Sequence, residues 1–267
     1  MTHINSHIPA HDSINTSLLT TMTKPILILQ LRPEDITSDS EFEAILKYGG
    51  LDHTDVHRIR IEKTGIPDEL ILENYSAVIV GGSPFDITTP HEKKSPIQLK
   101  IEQDFMRLLD KVVKNDFPFL GACSGNGLLG MYLGATLSTQ YAEPVTSATV
   151  ALTAEGRQDP LLADFPEKIL VLLGHKEACD TPPEGTTLLM TGTACPVQMF
   201  RIGQNVYATQ FHPEGDPEGF IIRINIYKHH GYFPQHEAEN LITQIRHAKT
   251  PYAQKILKRF VRRYAKS

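Results

Sequence analysis

A chain of 267 residues holds one large domain or two small ones, and it buries enough apolar surface to need no disulfide or metal staple. Hydrophobic residues at 40% and charged residues at 21% exclude a disordered or fibrous protein. A net charge of −5 argues against nucleic acid as a partner, and no apolar run approaches the ~20 residues of a membrane span.

The first 24 residues are polar, rich in Thr, Ser, Asn and His, and have no period, which predicts a disordered leader. Neither the positive start nor the apolar stretch of a secretory signal is present, and Met22 offers an alternative start. His3, His7 and His11 have no cysteine or carboxylate arranged around them to make a metal site. Order begins with the apolar run 26–31, a buried strand. Ser38 and Glu41 stand at capping-box spacing, ahead of a helical face of Phe42, Ile45 and Leu46 that ends at Gly49-Gly50. Residues 56–61 and 77–80 read as further strands, the second running into Gly81-Gly82-Ser83-Pro84. Between 96 and 115, Ile101, Phe105, Leu108, Leu109 and Val112 share one helical face. A short strand at 117–120 leads into Gly-Ala-Cys-Ser-Gly-Asn-Gly at 121–127 and a helical stretch at 128–133. Strands alternating with helices imply parallel pairing with right-handed crossovers, hence a layered α/β sandwich.

Short β-prone runs at 146–152, 169–173, 187–190, 197–201 and 205–211 make the next section strand-rich and partly antiparallel. Beyond Pro217 the pattern is helical. Pro251 suits a first helical position, and Ile256, Leu257, Phe260, Val261 and Tyr264 form one stripe. Residues 246–267 carry eight Lys or Arg and no acid, whereas the first 245 hold 18 basic and 31 acidic residues. This asymmetry reads as a solvated face or as docking onto the acidic body, with an anionic partner as the alternative. The organisation is then a leader (1–24), an α/β domain (25–216) and a C-terminal helical extension (217–267) packed on it. Three cysteines, Cys123, Cys179 and Cys195, are odd in number and widely spaced, which argues for a reducing compartment, the cytoplasm, over a disulfide framework.

A parallel α/β sheet binds ligands outside the carboxyl ends of its strands, which singles out 81–84 and 121–127. Gly121, Cys123 and Gly125 have the layout of a hydrolase nucleophile elbow with Cys in place of Ser. The glycines give the turn room, the helix N-terminus favours thiolate, and the Ser124 N–H faces a developing oxyanion. A buried structural cysteine is the plainer reading of the motif alone, and a phosphate loop lacks its Gly-Lys-Ser/Thr ending. The base must come from twelve histidines. His212 differs from the rest because it emerges at the carboxyl end of the last strand, where the elbow also lies. Pro213 keeps it extended, so Glu214, two residues on, shares its face and can orient the ring. Cys179 and Cys195 read as structural, and His175 receives no catalytic role.

Gly-x-Cys-x-Gly with a distal His-Pro-Glu resembles the class I glutamine amidotransferases. The likeness runs from Ile26 to Asp216, includes Gly81-Gly82-Ser83-Pro84 and Cys195-Pro-Val-Gln-Met-Phe-Arg201, and is strongest to stand-alone proteins similar to the amidotransferase domain of GMP synthetase. It implies a flavodoxin-like sandwich, a mostly parallel central sheet with helices on both faces. It also implies Cys123 as nucleophile toward the γ-carboxamide of glutamine, His212 as base and then acid, and Glu214 as its orienter. The oxyanion hole would come from the Ser124 and Gly82 amides, with no metal and no cofactor. A γ-glutamyl thioester would form and be hydrolysed to glutamate, its ammonia released or passed to a separate synthetase subunit. Two departures stand out: Gly127 replaces the family's Gln, which helps hold the amino-acid end of the substrate, and the turn is Gly-Gly-Ser-Pro in place of Ser-Gly-Gly-Pro. Gln98, Gln198 and Gln210 are the candidates to compensate. A γ-glutamyl peptidase acting on γ-glutamyl amides suits Gly127 and stays open, as does a non-catalytic regulatory subunit of the same fold. Ser124 argues against a DJ-1-like chaperone or deglycase, since such relatives place His after the nucleophile.

Overall fold

The computed structural model describes residues 24–228 and 233–265; the expected leader, with its histidines and Met22, lies outside the described residues. Strand and helix alternate first, as β1 (Ile26–Gln30), α1 (Asp35–Gly49), β2 (Val56–Arg60), a single turn α2 (Ile61–Thr64), β3 (Ala77–Val80), α3 (Pro96–Lys114), β4 (Phe119–Ala122) and α4 (Ser124–Tyr132). A strand-rich section follows, with β5 (Leu137–Ser138), β6 (Glu143–Leu152), β7 (Lys168–His175), β8 (Ala178–Cys179), β9 (Thr187–Gly192), β10 (Met199–Ile202) and β11 (Val206–Thr209). Helices α5 (Pro217–Tyr227), α6 (Ala238–Ile245) and α7 (Pro251–Tyr264) close the described chain.

Nine strands make one sheet in the order β2-β1-β3-β4-β11-β10-β9-β6-β7. The first five run parallel, and the other four extend the sheet by antiparallel pairing. Strands β1 and β3 are apolar at almost every position because both of their faces are covered. Ile26, Ile28, Ala77 and Ile79 pack on one side against Phe42 and Ile45 of α1 and the stripe of α7. Leu27, Leu29, Val78 and Val80 pack on the other against Ile101, Phe105 and Leu109 of α3. Burial of Ile256, Leu257 and Phe260 supplies about 1.5–3 kcal/mol for each side chain, which fixes α7 on the sheet. Part of its basic face turns inward: Arg259 donates to Leu161 O at 3.1 Å and stands 3.6 Å from the Asp164 carboxylate. Among the described residues no helix is long and apolar enough to cross a membrane.

One expected cap is overturned. Helix α1 begins at Asp35, so Ser38 and Glu41 lie inside it and are buried. Ser38 Oγ donates to Gln30 Oε1 at 3.2 Å, and Glu41 reaches over the end of β1. Their spacing of three is that of neighbours on one helical face, here the face turned to the sheet. Strand β4 starts two residues later than expected: Pro118 has no N–H and only accepts, from the Val78 N–H at 2.8 Å, so Phe119 is the first residue to donate, to Asn205 O at 3.0 Å.

Candidate active site

Strand β4 lies between β3 and β11 with its carboxyl end at the site. No loop intervenes before helix α4: the Cys123 N–H still donates to Thr209 O at 2.8 Å, and the helix starts at Ser124. This abrupt exit holds Cys123 at φ 52° and ψ −97°, a conformation that costs an L residue about 1–3 kcal/mol. A Cβ on Gly121 would lie 2.7 Å from the Gly125 carbonyl, and one on Gly125 3.2 Å from Val80 Cβ, so strand and helix touch through glycine. The helix begins earlier than its apolar residues suggest. Ser124-Gly-Asn-Gly127 has poor helix propensity, and burial of Gly125, Asn126 and Gly127 overrides it. The Ser124 N–H, in the first turn, has no acceptor within the helix.

His212 follows β11, and its N–H donates to Leu172 O at 3.0 Å. A turn closed by Gly215 N–H to His212 O, also 3.0 Å, folds Glu214 back onto the ring. The contact expected through an extended chain is therefore made through a turn, with Pro213 at the position where its fixed φ fits. His212 Nδ1 lies 2.7 Å from Glu214 Oε1. A carboxylate only accepts, so Nδ1 carries the hydrogen and Nε2 of the neutral ring is left with its lone pair free to accept a proton. Phe220 stands edge-on to the imidazole at 5.3 Å.

Behind this pair lies a buried charge network that the sequence did not predict. Arg223 Nη2 donates to Glu214 Oε1 at 3.0 Å, and its guanidinium sits 4.8 Å over the Phe220 ring. Arg32 Nε donates to Glu41 Oε2 at 2.7 Å. Glu41 also accepts from Gln30 Nε2 at 3.2 Å and lies 3.6 Å from Arg223, linking the two pairs. Two signals were available: Gln30 and Arg32 close the apolar run that begins at Ile26, and Arg223 interrupts the apolar run of α5. The Gly82 N–H, expected as an oxyanion donor, instead donates to Glu41 Oε2 at 3.2 Å, turned there by the buried carboxylate.

Burial pushes the Cys123 thiol up to about 11 despite the pull of Arg32 and Arg223. The thiolate expected from the helix N-terminus is thus not the resting form, because desolvation outweighs the helix dipole and both cations. Burial also lowers the pKa of His212 below its ordinary 6.5, with Glu214 pulling the other way. For Glu214, burial alone would raise the pKa, but His212 and then Arg223 hold it well below the usual carboxylate range. The resting site is a thiol, a neutral imidazole and a carboxylate.

Two recesses meet at Cys123. One is lined by Cys123, His212, Arg32, Arg223, Phe220 and Tyr227, among others. The other is lined by Cys123, Ser124, Gly127, Lys176, Glu177 and Gln210, among others. Cys123 Sγ lies 4.0 Å from Gly174 O. At Gly127 a Cβ would come within 2.9 Å of Ile87 Cδ1 and 3.4 Å of Leu137 Cδ2, so apolar side chains occupy the space of the expected Gln. Of the three glutamines considered as replacements, Gln98 donates to Asp86 O and Glu102, Gln198 donates to Glu143, and Gln210 alone lines the recess. His175 stands 3.1 Å from Glu143 and 3.0 Å from Glu177 O, which ties down the 174–177 segment. Two buried groups bear metal-type donor atoms within 4.8 Å of one another, Glu143–His175–Cys195 and Glu41–His212–Glu214. In both, the carboxylates already accept hydrogen bonds from protein donors.

The family model for glutamine amidotransferase class-I matches residues 38–221. The GMP synthase (glutamine-hydrolyzing) of Caldicellulosiruptor saccharolyticus is 25% identical over 185 residues, 65% of this chain and 33% of that protein. One subunit of the GMP synthase (glutamine-hydrolyzing) of Sulfurisphaera tokodaii is 26% identical over 145 residues, 54% of this chain and 70% of that one. The chain thus spans about a third of the length of the first relative. A crystal structure of a glutamine amidotransferase from Thermotoga maritima shares the fold, with a TM-score of 0.68 at 21% identity over 91% of this chain and 99% of that one.

Proposed function

The chain belongs to the class I glutamine amidotransferases, and we propose that it hydrolyses the γ-carboxamide of glutamine with Cys123 as nucleophile, His212 as base and Glu214 as orienter. The observation that carries this reading is the 2.7 Å bond from His212 to Glu214 beside a cysteine held at φ 52° on the wall of the same recess. Such strain persists where the surroundings enforce it, and it clusters at sites of chemistry, which weighs against a purely regulatory role.

In this reading the Sγ proton passes to His212 Nε2 as sulfur adds to the γ-carbonyl carbon. The Ser124 N–H holds the oxyanion, and Glu214 stabilises the imidazolium without taking its proton. The imidazolium then protonates the amide nitrogen, the C–N bond breaks, and ammonia leaves a γ-glutamyl thioester. Water, deprotonated by His212, adds to the thioester carbonyl, and collapse returns the thiol and glutamate. Two features support delivery of the ammonia to a separate synthetase chain: the match covers only 33% of one GMP synthase, yet 70% of a relative that is itself one subunit of such an enzyme.

The two guanidinium groups on the wall of the recess beside His212, where the leaving nitrogen must emerge, favour a second substrate for the same chemistry, a γ-glutamyl amide of another amine. Glutamate release from glutamine and from γ-glutamyl dipeptides tests both. Activity lost in Cys123→Ala is the expected result; full turnover by that variant refutes the mechanism.

A further inference from the structure

We propose that the recess beside His212 is a leaving-group subsite for an anionic amine, which makes the substrate a γ-glutamyl amide whose amine bears a carboxylate, as in a γ-glutamyl α-amino acid. The inference rests on the hydrolase reading above and names the substrate class within it.

The two recesses have different chemistry to serve. Ser124, whose N–H faces the oxyanion, and Gly127 line one, and His212 lines the other. The imidazole hands its proton to the departing nitrogen, so whatever that nitrogen carries extends into the recess on the His212 side. This side has two buried guanidinium groups on its wall. Arg32 borders the imidazole closely: a Cβ on Gly82 would sit 2.5 Å from Arg32 Nη2 and 2.7 Å from His212 Cε1. Ammonia, small and without an anionic acceptor for guanidinium, has no use for such a wall.

Donors and acceptors around the recess do not balance. Arg223 is 7% exposed; its Nη2 serves Glu214, while Nε and Nη1 are buried with no hydrogen-bond partner among the described residues. The neighbouring carboxylates are spent elsewhere, Glu41 on Arg32, Gln30 and Gly82, and Glu214 on His212 and Arg223. Leaving charged donors buried and unfilled is costly, so what this network lacks is a hydrogen-bond acceptor. A ligand carboxylate supplies it with charge-assisted hydrogen bonds.

The test compares γ-glutamylglycine with γ-glutamylglycinamide, two ligands that differ mainly in one charge. Calorimetry on the Cys123→Ala protein, which binds without turnover, is expected to show the carboxylate form at least 10-fold tighter. Arg223→Leu on that background should bring the two within about twofold, a change in ratio that a merely structural role for Arg223 does not produce. Equal binding, tighter binding of the neutral ligand, or binding of neither overturns the subsite whether or not the leucine variant folds. Glutamate release by the unaltered enzyme reads the hydrolase proposal separately. A charged dipeptide that binds selectively and is never cleaved sinks that proposal and spares the subsite; cleavage of both dipeptides at equal kcat/KM does the reverse.

Discussion

Replacing Glu41 with leucine removes the carboxylate that Arg32, Gln30 and the Gly82 amide all share, at 2.7, 3.2 and 3.2 Å, and that faces Arg223 at 3.6 Å. Arg32 is 4% exposed and, among the described residues, would be left with the Tyr227 hydroxyl at 3.4 Å as its side-chain hydrogen-bond partner. Removing one member of a buried ion pair strands its partner, at a cost of about 3–5 kcal/mol. For a domain of this size each kcal/mol moves Tm by about 2–4 °C, so the variant should melt roughly 6–20 °C lower. Equilibrium urea unfolding of the single variant and of Arg32→Met/Glu41→Leu separates charge from shape. The double variant leaves Arg223 its Glu214 partner and no stranded Arg32, so it should regain most of the loss. A single variant costing less than about 1 kcal/mol, the range of an exposed ion pair, would refute the reasoning. So would a double variant no more stable than the single one.

With His212 lowered and Cys123 raised to about 11, kcat/KM should fall on the acid side only below pH 6.5, and stay level through pH 9. A pH-rate profile with an alkaline limb near neutrality contradicts that assignment. Glu214→Gln keeps the shape but loses the orienting charge, and kcat should drop by about 10⁴-fold. The same substitution should blunt acid unfolding. A carboxylate whose folded pKa lies below 4.5 stabilises fully above that value and loses the contribution as pH falls through it. The lowered His212 acts in the same sense, since below pH 6.5 the unfolded chain takes a proton that the folded ring resists. Cys123→Gly should be more stable than Cys123→Ala by about 1 kcal/mol in urea, because glycine relieves the positive φ. Gly127→Gln should cost about 1–3 kcal/mol in urea by overpacking against Ile87, and adding Ile87→Ala should recover most of that loss.

Local signals carried the fold and most of the setting of Cys123; long-range charge placement stayed hidden. Strand β1 was legible because a strand covered on both faces is apolar at nearly every position. The stripe of α7 was legible for the helical analogue of that reason. Cys123 could be found because its turn needs glycine two residues either side, and His212 with Glu214 because they are two residues apart with a proline between. Ser38 and Glu41 misled because one spacing serves both a cap and a buried face, and only the sheet decides which. A buried charge announces its cost in the sequence but never its partner. The Gly82 amide shows where that matters. The need for glycine there follows from close approach, since Arg32 and His212 leave no room for a side chain. Which way its N–H points is decided by Glu41, 41 residues upstream. In the proposed mechanism Ser124 is the donor left to the oxyanion while that carboxylate holds the amide, so any rate gained from a second donor would require the Gly82–Glu41 bond to open first.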